Sequence, residues 1–119
     1  MIVDERMVTY INSLDEGHTI FLEELEAEAK KDRVPIIRRE MQSFLKFLLA
    51  AVRPKRILEV GTAVGFSALF MCEYNPVPCK IITIENYEKR IPIARENFKK
   101  AHREDQIELL AGDAADILK

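Results

Sequence analysis

The sequence predicts an α/β fold with an open, doubly wound parallel sheet, and three observations carry that prediction. Ile57-Leu58-Glu59-Val60 is a short apolar run that meets Gly61 and Gly65 and passes at once into a helical pattern. Ile81-Ile82-Thr83-Ile84 is a β-branched run closed by Glu85. Ile107-Glu108-Leu109-Leu110-Ala111 leads into Gly112-Asp113-Ala114. Each run has the length of a strand, and helical periodicity fills the intervals, as in a parallel sheet built by crossovers.

Residues 1–53 read as a helical amino-terminal segment, and residues 54–119 as the sheet region. Met7, Tyr10, Ile11 and Leu14 fall at i, i+3, i+4, i+7 and predict a helix over about 4–14, with Asp4 and Glu5 at its positive end and Gly17 as its stop. A second helix is expected over 19–31, with Thr19 as N-cap, Leu22, Leu25 and Ala29 on one face, and Lys30-Lys31 at its negative end. Glu23, Glu24, Glu26 and Glu28 are expected on its solvated side. Pro35 suits the first turn of a third helix over about 36–52, whose apolar Ile37, Met41, Phe44, Leu45, Leu48 and Val52 predict a broad buried stripe.

Pro54 ends that helix and the first strand follows. Phe66–Tyr74 reads as a helix closed by Pro76 and Pro78, and a second strand covers 80–84. The next helix runs to about Arg103; Pro92 within it requires a late start near Glu88 or a kink, and Ile91, Ala94, Phe98 and Ala101 should pack on the sheet. After the third strand, Asp113 opens another helix. The apolar strands suggest cover on both faces. Three helix–strand units make one mononucleotide-binding half of a doubly wound fold. The expectation is an amino-terminal piece of a larger domain, with a non-catalytic short module as its rival.

With 48% hydrophobic and 32% charged residues, the 119-residue chain suits one globular domain. No apolar run approaches the roughly 20 residues of a membrane span, and the longest candidate carries Lys46 in its middle. The amino terminus lacks a signal-peptide pattern, and Cys72 and Cys79 lack metal or redox spacing, which predicts a cytoplasmic protein with reduced thiols and no membrane partner. Charge is uneven: residues 1–29 carry eight acids and one base, residues 30–56 nine bases and two acids. The basic block could meet phosphates, or the acidic segment of the same or a neighbouring chain.

The glycine turn fails the dinucleotide fingerprint Gly-x-Gly-x-x-Gly: counted from Gly61, the second position is Ala63 and the third, which must be small, is Phe66. The spacing acid-x-Gly-x-x-x-Gly fits Glu59, Gly61 and Gly65, and resembles motif I of the S-adenosylmethionine (SAM)-dependent methyltransferases, with Ala63 at the usual middle glycine. Glu59 is an acid in an apolar strand and needs a partner or a ligand. A carboxylate at Glu85, closing the second strand, can accept both hydroxyls of a ribose. Taken singly, each acid reads as a strand-end surface charge; together they agree on one cleft.

Val34-Pro35-Ile36-Ile37, the run Ile57 to Leu69, Ile82-Thr83-Ile84-Glu85 and Gly112-Asp113-Ala114 resemble the cation-dependent O-methyltransferases of the catechol and caffeoyl-CoA class, and most nearly the bacterial branch that includes the tRNA 5-hydroxyuridine methyltransferase. That resemblance implies the Rossmann-like class I methyltransferase fold, cut after its third strand. It implies methyl transfer from SAM to a hydroxyl, with 5-hydroxyuridine in tRNA as first acceptor and a catechol-like phenol or acyl-CoA as second. A homodimer and a magnesium ion are also implied. Glu85 would bind the ribose, Gly61, Thr62, Ala63 and Gly65 would approach the ligand through backbone, and Ser67 would hold the methionine carboxylate. Glu59 would lie near the ammonium, Ile37 over the methionine end, and Asp113, Ala114 and Ala115 around the adenine. Core packing is the plain alternative for Ile37, and bonding to its own backbone for Ser67. No catalytic or metal-binding residue is expected in this chain, and His18 and His102 read as surface residues.

Overall fold

A computed structural model describes residues 4–13 and 19–119. Its elements are α1 (Glu5–Ser13), α2 (Ile20–Lys31), α3 (Arg39–Val52), β1 (Arg56–Val60), α4 (Phe66–Tyr74), β2 (Lys80–Glu85), α5 (Ile91–Lys100), β3 (Ile107–Ala111) and α6 (Ala114–Ile117). The strands pair in parallel in the order β1-β2-β3, with Val60 beside Ile84 and Glu85 beside Ala111. Their carboxyl ends are therefore neighbours, which is the placement a shared ligand cleft requires.

Parallel register puts Ile57, Ile81 and Ile107 on one face, and that face is the core. It packs with Phe66, Ala68, Leu69 and Phe70 of α4 and with Ala94 and Phe98 of α5. Each fully buried large apolar side chain there contributes about 1.5–3 kcal/mol. The opposite face departs from the expected two-sided cover: Leu58, Val60 and Ile82 remain 56%, 62% and 40% exposed. The strands carry the apolar content of a doubly covered sheet, but no described helix lies over these three residues.

Thr19 caps α2 as expected, accepting the Leu22 amide, and Leu22, Leu25 and Ala29 are buried. Asp4 accepts the Arg6 amide at the start of α1. The contributions expected of Ile11 and Leu14, and Gly17 as a stop, lie outside what is described. α5 starts late, at Ile91, with Pro92 in its first turn, where no amide donor is lost. A left-handed residue, His102 at φ 56°, follows its end. Cys72, near the end of α4, and Cys79, before β2, are buried free thiols joined by a hydrogen bond; burial first, then the neighbouring thiol, pushes the Cys72 pKa up to about 12.

Three expectations about the helical segment are corrected. Pro35 does not open the third helix: residues 34–38 form neither helix nor strand, Arg38 is the N-cap with an extended backbone at ψ 158°, and α3 begins at Arg39. The segment lines the cleft described below, and its β-branched Ile36-Ile37 pair has less helix propensity than most residues of α3. Of the expected stripe, Ile37 and Leu45 pack against the core, but Met41, Phe44, Leu48 and Val52 do not; with Phe47 they face outward, and Gln42 and Leu49 are buried in their place. Lys46 covers the core aromatics from the same helix, its Nζ 4.2 Å from the Tyr74 ring centre. Finally, Glu26 is not on the solvated side of α2 but 3% exposed, paired with Arg39 and accepting from Gln42. Part of the basic block therefore meets the acidic segment within this chain.

Candidate functional site

The turn after β1 has three left-handed residues, Gly61 at φ 93°, Ala63 at φ 49° and Gly65 at φ 92°. The two glycines are needed for different reasons. A Cβ at Gly65 would sit 2.6 Å from Cε1 of Phe98, so this glycine allows α5 to pack under the turn. A Cβ at Gly61 would meet nothing within 4 Å, so the space above this glycine is open. Ala63 holds a conformation that is uncommon outside glycine. Its amide donates to Oε1 of Glu85 at 2.7 Å, which fixes it there.

Glu85 ends β2 almost fully buried, at 8% exposure. Besides the Ala63 amide on Oε1, its Oε2 accepts the Asn86 and Tyr87 amides at 3.1 and 3.0 Å. Its carbonyl accepts the Gly112 amide at 2.9 Å, and the Ile84 carbonyl accepts the Gly61 amide at 2.8 Å. One residue thus ties all three strand ends. Three bonds leave a carboxylate with acceptor capacity to spare, since it offers about four lone-pair sites. Asn97 of α5 steadies the turn from below, donating to the Val64 carbonyl at 2.8 Å.

Glu59 sits beneath the turn in a polar chain that its sequence neighbours do not reveal. Thr83 of β2 donates to Oε1 of Glu59 at 2.7 Å, and the Thr83 and Thr62 hydroxyls lie 2.6 Å apart. Ser67 also bonds to Glu59, so its hydroxyl is directed to this carboxylate rather than only to its own helix. Burial pushes the Glu59 carboxyl above the ordinary range, the Thr83 and Ser67 bonds oppose that, and the nearby Glu85 charge adds to it.

A cleft of about 220 Å³ opens between the turn and the segment before α3, lined by Pro35, Ile36, Ile37, Gly61, Thr62, Ala63, Phe66 and Ser67. Ile37 therefore lies at the cleft as well as against the core. Asp113 caps α6 by accepting the Ala115 amide at 2.8 Å, beside Gly112 and the end of β2. Ala114 and Ala115 form the first turn of that helix. Of the residues expected at the site, Ile37, Gly61, Thr62, Ala63 and Ser67 line this cleft, while Glu59, Gly65, Glu85, Asp113, Ala114 and Ala115 are outside its lining, in or shortly after the three strands. Sequence reading missed Thr83, whose signal was a polar side chain directly across from Glu59 in the register. It also missed Gln42, which carried no signal. Among the described residues no group of three or more His, Cys, Asp or Glu side chains could hold a metal ion, so no magnesium site is assigned to them.

The family model described as O-methyltransferase matches residues 11–119. The chain belongs to that family. A catechol O-methyltransferase of Mycobacterium tuberculosis is 30% identical over 82 residues, 69% of this chain and 37% of that protein. One from Niastella koreensis is 35% identical over 75 residues, 63% of this chain and 34% of that protein. Among solved structures, an SAH-bound methyltransferase of Podospora anserina superposes with a TM-score of 0.83 at 30% identity, covering 99% of this chain and 55% of that one. An O-methyltransferase of Bacillus cereus in complex with SAH gives 0.77 at 27% identity, covering 92% of this chain and 51% of that one. This O-methyltransferase-family chain thus spans about a third of the length of those curated relatives and about half that of the solved structures, with the Rossmann-like fold of class I methyltransferases.

Proposed function

We propose that this chain is the cofactor-binding half of a SAM-dependent O-methyltransferase. The observation that carries the reading is the buried Glu85 carboxylate, bonded to the glycine turn where three strand ends meet. When bound, SAM would supply a methyl group on its sulfonium; transfer to a hydroxyl breaks an S–C bond, whose electron pair stays on sulfur, forms an O–C bond at the acceptor, releases the hydroxyl proton to solvent, and leaves S-adenosylhomocysteine (SAH). Glu85 accepts the ribose hydroxyls, and Asp113, Ala114 and Ala115 frame the adenine. Glu59 faces the methionine ammonium, Ser67 its carboxylate, and the backbone of Gly61, Thr62, Ala63, Gly65 and Ile37 encloses that end. These residues bind and orient, and orientation alone supplies several kcal/mol in such transfers, on the order of 7–11 at best. The magnesium ion implied by the family resemblance has no place among the described residues, and no step is assigned to it.

For the acceptor, the catechol O-methyltransferases among the relatives favour a catechol-like phenol, with an acyl-CoA as a variant of the same reading. A second reading, 5-hydroxyuridine in tRNA, is favoured by the exposed Lys30, Lys31, Arg33 and Arg38. The outward Met41, Phe44, Phe47, Leu48 and Val52 support a homodimer through α3. The reduced, buried thiols fit a cytoplasmic setting, and no helix among the described residues is long and apolar enough to cross a membrane. The test is calorimetric titration of the intact protein with SAH, followed by methylation assays with catechol and with tRNA. Saturable SAH binding is expected; a folded protein that takes up none overturns the reading.

A further inference from the structure

The segment 34–38 forms one wall of the cleft, and its backbone is tied at its two ends; at the second, the Arg38 carbonyl accepts the Gln42 amide at 2.8 Å. Its first residue donates to the Ala29 carbonyl, and Pro35 has no amide to donate. At the other end the Gln42 side chain, 1% exposed, donates through Nε2 to the Ile37 carbonyl at 2.8 Å. The same nitrogen donates to Oε2 of Glu26 at 2.8 Å, and Oε1 of Glu26 accepts Nε of Arg39 at 2.9 Å. A buried amide and a buried carboxylate are an expensive way to join two helices, since apolar residues of similar size do it as well or better. What apolar residues cannot do is grip a carbonyl of the cleft wall.

Building on the cofactor site proposed above, we infer that Gln42 and Glu26 are positioning residues. Gln42 holds the Ile37 carbonyl, Glu26 orients the Gln42 amide, and together they set the 34–38 segment over the amino-acid end of the cofactor. The adenosine end, at Glu85 and Asp113, lies on the far side of the turn and does not depend on this wall. The two ends can therefore be separated by ligand.

The experiment titrates the intact protein with SAH and with 5′-methylthioadenosine, which keeps the adenosine and the sulfur but lacks the amino-acid end. For Gln42→Leu, SAH affinity is expected to fall about ten-fold or more while methylthioadenosine stays within about two-fold. Glu26→Gln, which keeps an acceptor for the Gln42 amide, should recover most of the wild-type ratio. Equal loss for both ligands, or no loss for either, overturns the positioning role. Should Gln42→Leu not fold, the double variant Glu26→Leu/Gln42→Leu, which leaves no buried carboxylate behind, is read by the same ratio. Wild-type protein that binds neither ligand would instead remove the cofactor site itself.

Discussion

Oε1 of Glu85 lies 2.7 Å from the Ala63 amide, so a single carboxylate joins the tip of β2 to the turn after β1. That contact keeps a buried acid against the glycine turn and at the same time holds an alanine in a left-handed conformation. A change at Glu85 is therefore felt by the turn that lines the cleft.

Glu85→Gln keeps the shape and one acceptor but loses the charge. A hydrogen bond to a charged group is worth about 1.5–3 kcal/mol, so SAH affinity should fall on the order of 10- to 150-fold. Methylthioadenosine, which keeps the ribose, should lose as much. Calorimetry on both ligands checks this, and an unchanged methylthioadenosine affinity would remove the ribose assignment.

The two glycines of the turn should respond differently. Gly65→Ala brings a methyl within 2.6 Å of the Phe98 ring and adds left-handed strain; overpacking of about 1–3 kcal/mol and strain of about 1–2 kcal/mol should combine in a lower urea midpoint. Gly61→Ala has open space around it, so only the strain of about 1–2 kcal/mol should appear in stability. SAH binding should suffer more at Gly61 than that stability loss explains, because the methyl enters the cleft.

Glu59 sets a pH dependence. Its folded-state pKa is raised above the ordinary value of 4.5, chiefly by burial. Between the unfolded and folded values the native state binds more protons, so this group's contribution to stability falls as pH rises through that window and stays reduced at neutral pH. Glu59→Gln should therefore raise the melting temperature at pH 7, with the gain shrinking as pH falls toward 4.5 and below. SAH binding should run the other way, strengthening as Glu59 ionises and losing that dependence in the variant. Melting curves and titrations across the same pH series test both signs.

The outward face of α3 predicts a concentration-dependent assembly. Phe47, at 66% exposure, is the natural probe. Phe47→Glu should convert a dimer to a monomer in sedimentation without lowering the melting temperature of the monomer. A wild-type protein that sediments as a monomer at high concentration would set the dimer aside.

The tRNA reading predicts steep weakening of RNA binding with salt. Arg38, whose side chain is 70% exposed beside Glu40, should lower the salt slope by about one when changed to alanine. A salt-independent affinity would leave the phenol reading alone.

The sheet was legible because its signals are local: β-branched runs, glycines where φ is positive, and an acid at a strand end. Glu59 and Glu85 could be placed from those alone. The helical segment was not, because periodicity marks an apolar face without saying which neighbour it meets. Met41, Phe44, Leu48 and Val52 have helical spacing yet face outward, and the inward face is built on Gln42. Glu26 looked like its exposed neighbours in α2; only the fold brings Arg39 and Gln42 to it. Pro35 fits a helix start and an irregular segment equally well, and the bond from Gln42 to Ile37 belongs to the second.

The paired thiols at the α4–β2 junction give this protein a clock of its own. With Cys72 buried and held near pKa 12, an alkylating reagent at neutral pH finds almost no thiolate at this residue in the native state. Labelling of Cys72 must wait for the junction to open, so its rate reports how often that part of the core breathes, without any engineered probe.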